Sequence, residues 1–198
     1  MPVAKIEIIP PEWMVRFLPR SETVFSTVQE RMELVIALAR ANIENKTGGP
    51  FGAAIFDLET NRLISAGINL VEMSNCSVLH AEVVAIILAQ SRLGNYDLGA
   101  EFMPSCELIS SVEPCAMCLG AIPWSGVKRV VCGARDEDAR SVGFDEGDKP
   151  AEWIKSLEKR GIEVERDVCR KDAAQILSDY QRMGGLIYNS QSGRTPLR

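Results

Sequence analysis

The stretch 106–134, CELISSVEPCAMCLGAIPWSGVKRVVCGA, decides how the chain is read. Its opening, CELISS, is a short apolar-rich run without Gly or Pro and reads as a buried strand. From Cys115 to about Trp124 the run reads as a helix, and VKRVVCGA (127–134) reads as a second strand. Strands and helices that alternate along a chain bury their apolar faces best as a sheet covered by helices.

The flanks continue the alternation. Val28, Met32, Val35, Ile36, Ala39 and Ile43 recur every three or four residues, which predicts an amphipathic helix ending near Asn45, before the turn signal Gly48-Gly49-Pro50. FGAAIFD (51–57) and RLISAGIN (62–69) predict an antiparallel hairpin around Leu58–Asn61. Ala81–Leu93 is apolar nearly all round and predicts a buried helix. Further on, Ala151–Lys159 predicts a helix, Ile162–Val164 a strand and Ala173–Met183 a last helix. A brief strand is also expected at Ile6–Ile9. The order implies a three-layer α/β/α sandwich on one mixed five-stranded sheet. The expected organisation is an N-terminal extension (1–20), a single domain (21–185) and a C-terminal tail (186–198).

Composition narrows the function classes. Apolar residues make up 46% and charged residues 25%, enough for a sizeable core. The net charge of −5, with Lys128, Arg129, Arg135 and Arg140 scattered among Asp136, Glu137 and Asp138, argues against a nucleic-acid partner, which needs basic patches. The longest wholly apolar run, Val83–Ala89, is too short to span a membrane. No basic region followed by an apolar stretch opens the chain, and six cysteines do not make a disulfide scaffold at this length, so a reducing, cytoplasmic location is expected.

The chemistry sits at two helix starts. His80, the single histidine, and Glu82 open one helix; Cys115 and Cys118 open the next. Residues three apart share a helix face, so both sulfurs can point to one place. The positive end of a helix favours thiolates. Two thiolates and an imidazole make three zinc ligands, the number a catalytic site uses while keeping its fourth position for water. The expectation is one zinc ion per chain with a bound water. A carboxylate beside that water but off the metal, Glu82, can take its proton and pass it to a substrate. Taken alone, a histidine at a helix start is most often a cap or a surface group, and a lone CxxC can be a redox pair, half a structural zinc site or core. Together, H-x-E and P-C-x-x-C form the zinc-deaminase signature. Cys76 stays open as a fourth ligand; Cys106 and Cys132 lie in strand-like runs and read as core.

HAE (80–82) with PCAMC (114–118) resembles the cytidine deaminase-like superfamily. That resemblance implies zinc-dependent hydrolytic deamination on this sandwich, with His80, Cys115 and Cys118 as ligands and Glu82 as proton carrier. GGPFGAAI (48–55), Asn69, the run 110–134 and VGFDEG (142–147) are similar to bacterial guanine deaminases, over about Met32 to Gly147. By that likeness Phe51, Asn69, Trp124 and the backbone N–H of Ala81 would bind a heterocyclic base, and Glu146 would be a second acid serving the leaving amino group. The implied reaction converts guanine to xanthine and ammonia, with amino-triazines such as ammeline as further substrates and a homodimer as the assembly. Two departures bear on the substrate. Asn75–Leu79 replaces the Asp-Pro-Thr usual before HAE, and the end, LIYNSQSGR (186–194), matches poorly, with Tyr188 the one residue there suited to close the site. The alternatives are a tRNA adenosine deaminase, a cytosine or nucleoside deaminase, and a non-catalytic zinc module that binds a partner. Glu82 argues against the last, since a structural metal site has no use for an added carboxylate.

Overall fold

Alternation within the strands sets the layers, as seen in a computed structural model that describes residues 7–189. In β1 (Gly52–Asp57), Ala53 and Ile55 face one core while Ala54 and Phe56 face the other. In β3 (Cys106–Val112), Leu108 and Ile109 divide the same way, as do Val130 and Val131 in β4 (Arg129–Ala134). Side chains alternate across a strand, so a strand apolar at every position must be covered on both faces.

Helices supply both covers. α2 (Val28–Glu44) and α8 (Arg170–Arg182) pack on one face; α4 (Ala81–Leu93) and α5 (Ala116–Ser125) lie on the other. The sheet runs β2-β1-β3-β4-β5, with β2 at Leu63–Ile68 and β5 at Glu163–Glu165. β1 is antiparallel to both β2 and β3, whereas β3, β4 and β5 are parallel. The mixed five-stranded sandwich expected from the sequence is the fold observed. Among the described residues no helix is long and apolar enough to cross a membrane, and all six cysteines are free.

Three short helices have no counterpart in the sequence reading: α1 (Glu12–Phe17), α3 (Val71–Ser74) and α6 (Asp136–Ser141). The Ala151–Lys159 segment forms the shorter α7 (Trp153–Glu158). The strand expected at Ile6–Ile9 does not form over 7–9, which are irregular, and Ile6 lies outside the described residues. Met14 of α1 is buried in the core, so this segment packs as part of the domain.

Two features place the site. A Cβ at Gly67 of β2 would stand 2.2 Å from the carbonyl oxygen of Ala81 and 2.5 Å from the nitrogen of Ala85. Glycine there lets the first turn of α4 lie flat on the sheet, which fixes His80 and Glu82. At the opposite end of β3, buried Glu107 takes Arg31 Nε at 2.6 Å and Arg129 Nη1 at 3.3 Å. Arg31 also donates to Phe25 O and Asn61 Oδ1, so one cluster ties α2, the hairpin turn and three strands together.

Candidate active site

His80 precedes the first residue of α4 in an extended conformation, and Cys115 does the same at α5. The parallel pairing of β3 with β4 and the antiparallel pairing of β3 with β1 bring these two helix starts together. The ligand atoms of His80, Cys115 and Cys118 all lie within 4.8 Å of one another, and Cys115 Sγ stands 3.4 Å from His80 Nδ1. Cys76 does not join this cluster.

The donor set fits a divalent zinc ion. One imidazole and two sulfurs at a buried point are soft donors in the number that leaves one position open. Hydrogen bonding from Cys118 first, and from His80 next, holds the Cys115 thiol down to about 4, against the effect of burial. The same hydrogen bond, then burial, pushes the Cys118 thiol up. Without a metal the pair therefore holds one negative charge, and a divalent cation is what lets both sulfurs ionise. Burial works against a charged His80, but its bond to Cys115 and the charges of Glu82, Cys115 and Glu146 prevail and raise its pKa.

Two carboxylates border the cluster. Glu82 in the first turn of α4 is 7% exposed; burial, then the Cys115 charge, raises its pKa. Glu146 is 6% exposed although Asp145 and Asp148 flank it. Its carbonyl accepts the Ala116 N–H at 2.9 Å, and Gly147 turns the chain with φ 68°, so the loop is pinned to the start of α5. Burial, then the charges of Cys115 and Glu82, pushes the Glu146 carboxyl up to about 8, with Lys149 opposing. Lys149 Nζ donates to Pro114 O at 3.1 Å and sits 2.7 Å from Asp136, which ties the same loop to the turn before Cys115. Glu113 in that turn is gripped by Arg166 at 2.6 Å.

One cavity opens on these groups. His80, Glu82, Cys115, Glu146, Asn69 and Phe51 all line it. Phe51 meets Phe144 edge to face at 4.9 Å. Asn69 Oδ1 accepts the Val71 N–H at 3.3 Å. Two residues named for the pocket, Trp124 and Ala81 through its backbone N–H, do not line the cavity within the single chain. Ala81 is fully buried and does not line the cavity. Trp124 is 84% exposed and also lies apart from it. The helix explains this: Cys118, Ile122 and Ser125 form the inward face of α5, and Trp124, two positions from Ile122, falls on the outer one.

The cavity also has walls that the sequence reading named only in part: Tyr188 was singled out, Phe144 and Leu186 were not. Phe144 belongs to the VGFDEG match and could have been named from it. Leu186 and Tyr188 come from the C-terminal segment of the same chain. Tyr180 OH donates to Leu186 O at 2.9 Å, and Asn189 bridges Asp145 N and Gly143 O, both at 2.9 Å. These bonds dock the segment on the Glu146 loop, and no local sequence signal announces them.

Comparison with known proteins gives this site its class. The family model for the cytidine and deoxycytidylate deaminase zinc-binding region matches residues 26–134. The chain belongs to that family and is a zinc-dependent deaminase, an aminohydrolase. It is 41% identical over 127 residues to the guanine deaminase of Bacillus subtilis, covering 61% of this chain and 77% of that protein. A solved guanine deaminase from Nitrosomonas europaea is 43% identical, with a TM-score of 0.85, over 90% of this chain and 97% of that one. A further structure, a complex with 2,6-diaminopurine, is 44% identical with a TM-score of 0.86 over 93% of this chain and 97% of that one.

The raised Glu146 carboxyl makes a pH prediction for the metal-free protein. An acid whose folded pKa lies above its unfolded value adds stability that is fully present below the unfolded pKa and is lost as pH rises through the folded one. Here the window runs from the ordinary 4.5 to about 8. Glu146→Gln should therefore melt above the parent at pH 8, with the difference shrinking toward pH 5. Thermal melts of chelator-treated protein across that range check it, and a pH-independent difference contradicts it.

Proposed function

We propose that the chain hydrolyses guanine to xanthine and ammonia, with one zinc ion held by His80, Cys115 and Cys118. The observation that carries this reading is the one cavity lined by His80 and Cys115 of the ligand cluster together with two buried carboxyls, Asn69 and Phe51. The chain's similarity to guanine deaminases, over 61% of its length in one relative and 90% in another, supports the choice of base.

A zinc ion held by His80, Cys115 and Cys118 would supply a Lewis acid that makes water a nucleophile near neutral pH. Glu82 accepts a proton from the attacking water and donates it to a ring nitrogen of the base; its raised pKa suits a group that must both take and give. Glu146, whose carboxyl pKa is raised by burial, would give a proton to the departing amino group and take back the one released by the new hydroxyl as it becomes the carbonyl, so that ammonia leaves and both carboxyls return to their starting state. Asn69 Nδ2 makes no hydrogen bond to a described residue and is free to donate to an acceptor on the base edge. Phe51 and Phe144 offer aromatic surface to the ring plane. Amino-triazines such as ammeline belong on the same substrate panel, while none of residues 75–79 lines the cavity.

We also propose a homodimer built on α5. Met117, Gly120 and Trp124 expose one flank of a helix that is apolar on every side. Large apolar residues aligned on a surface mark association sites.

Glu82→Gln should lose about 10²–10⁴-fold in kcat while keeping its zinc. Xanthine formation followed by ultraviolet absorbance, together with metal analysis, checks this; a variant that turns over guanine at the parent rate removes Glu82 from the chemistry. Trp124→Glu should run at half the parent mass in light scattering, and an unchanged mass places the dimer contact elsewhere.

A further inference from the structure

The end of α2 holds a buried polar side chain that the reaction does not use. Asn42 is 0% exposed. Its Nδ2 donates to the carbonyl of Gly49 at 2.9 Å and to that of Asn69 at 3.0 Å. Both acceptors belong to residues that line the active-site cavity. Its Oδ1 accepts the Thr47 hydroxyl at 2.6 Å, and Thr47 in turn accepts the indole N–H of Trp13 at 3.2 Å. Donors therefore point in one direction, from Trp13 of α1 through Thr47 and Asn42 to the cavity wall. Every polar atom of the Asn42 amide is engaged, and hydrogen bonds in such a chain strengthen one another.

The wall it holds is tightly drawn. A Cβ at Gly48 would stand 2.1 Å from Asn69 O and 3.1 Å from Asn42 Nδ2, so the two loops meet as closely as backbone can. Asn69 N donates to Phe51 O at 3.2 Å, which closes the same patch from the other side. The carbonyl of Asn69 is thus fixed by Asn42, its amide hydrogen by Phe51, and its Oδ1 by Val71. Only the Asn69 side-chain donor remains, and its direction is set by these three bonds.

We propose that Asn42, oriented by Thr47 and Trp13, is a positioning residue for base recognition, acting through the backbone of Asn69 and Gly49. This rests on the reading of Asn69 as a base-binding residue. It also gives the N-terminal α1 segment a role: Trp13 anchors the far end of the relay, so the segment reaches the pocket without touching it. An apolar residue at position 42 would leave the Asn69 carbonyl without its donor and the Gly49 carbonyl with the Phe51 N–H alone, and a carboxylate there would face both oxygens with like charge.

The test uses the full-length, zinc-loaded protein carrying Glu82→Gln, in which turnover is slowed enough for guanine binding to be read, and reads Kd by calorimetry. Asn42→Asp, which keeps shape and removes both donations, should weaken guanine about ten-fold or more, the worth of one misplaced hydrogen bond. Zinc content should not change. In an Asn69→Ala background the same substitution should add less than about two-fold, because the side-chain donor that the held backbone aims at the base is gone. If Asn42→Asp does not fold, Thr47→Val reads the relay one step away: it should weaken binding, and Thr47→Ser should restore it. Trp13→Phe, which keeps the ring but removes the indole donor, should shift Kd in the same direction by less. Unchanged Kd in Asn42→Asp and Thr47→Val, or a loss that stays complete in the Asn69→Ala background, overturns the proposal and leaves the residue structural. A parent protein that binds no guanine contradicts the base reading and the proposal together, whereas a binding parent with additive variants contradicts the proposal alone.

Discussion

Two helix starts must meet at one point, and the rest of the structure is arranged around that constraint. The positive ends of α4 and α5 converge beside His80, Glu82, Cys115 and Cys118. Helix starts favour negative groups, so this is where a thiolate and carboxylates can be gathered in a buried place. Meeting there demands a flat seat for α4, which Gly67 provides by having no side chain. It also demands a fixed turn between β3 and α5. Arg166 and Lys149 supply that by binding Glu113 and the carbonyl of Pro114.

Gathering acids has an electrostatic consequence. Glu82 and Glu146 both carry raised pKa values, with burial as the main cause and the Cys115 charge next. Acids so placed hold protons that exposed carboxylates would release, which is what proton transfer at neutral pH requires. A divalent cation at the ligand cluster relieves the crowding of negative charge, so metal binding and the poise of the two carboxyls belong to one balance. The charge cluster of Arg31, Glu107 and Arg129 lies at the other end of β3 and anchors the scaffold without entering this balance.

Much of this was legible in the residues because strong periodicity and a strong motif coincide. The long helices and the hairpin follow from apolar spacing, and the HAE and PCAMC runs name the ligand cluster. The missed helices span four to six residues, under two turns, too short for a period to show. Trp124 lies on the outer flank of α5, and nothing in a helix apolar on every side says which flank faces inward. Glu146 sits in an acidic run that reads as solvated surface; a glycine turn and one bond from Ala116 bury it alone. Leu186 and Tyr188 reach the cavity through contacts more than thirty residues away in sequence, from Asn189 to Gly143 and Asp145. Tertiary bonds of that range leave no mark in a local pattern.

The central claim is a three-donor zinc site that keeps one position open beside Glu82. X-ray absorption at the zinc edge of the purified protein tests it most directly. The account predicts two sulfur scatterers at about 2.3 Å, one imidazole nitrogen and one further light atom. A first shell of three or four sulfurs, or a second imidazole, would contradict it, because the site would then be closed and the carboxylate of Glu82 would have no water to act on.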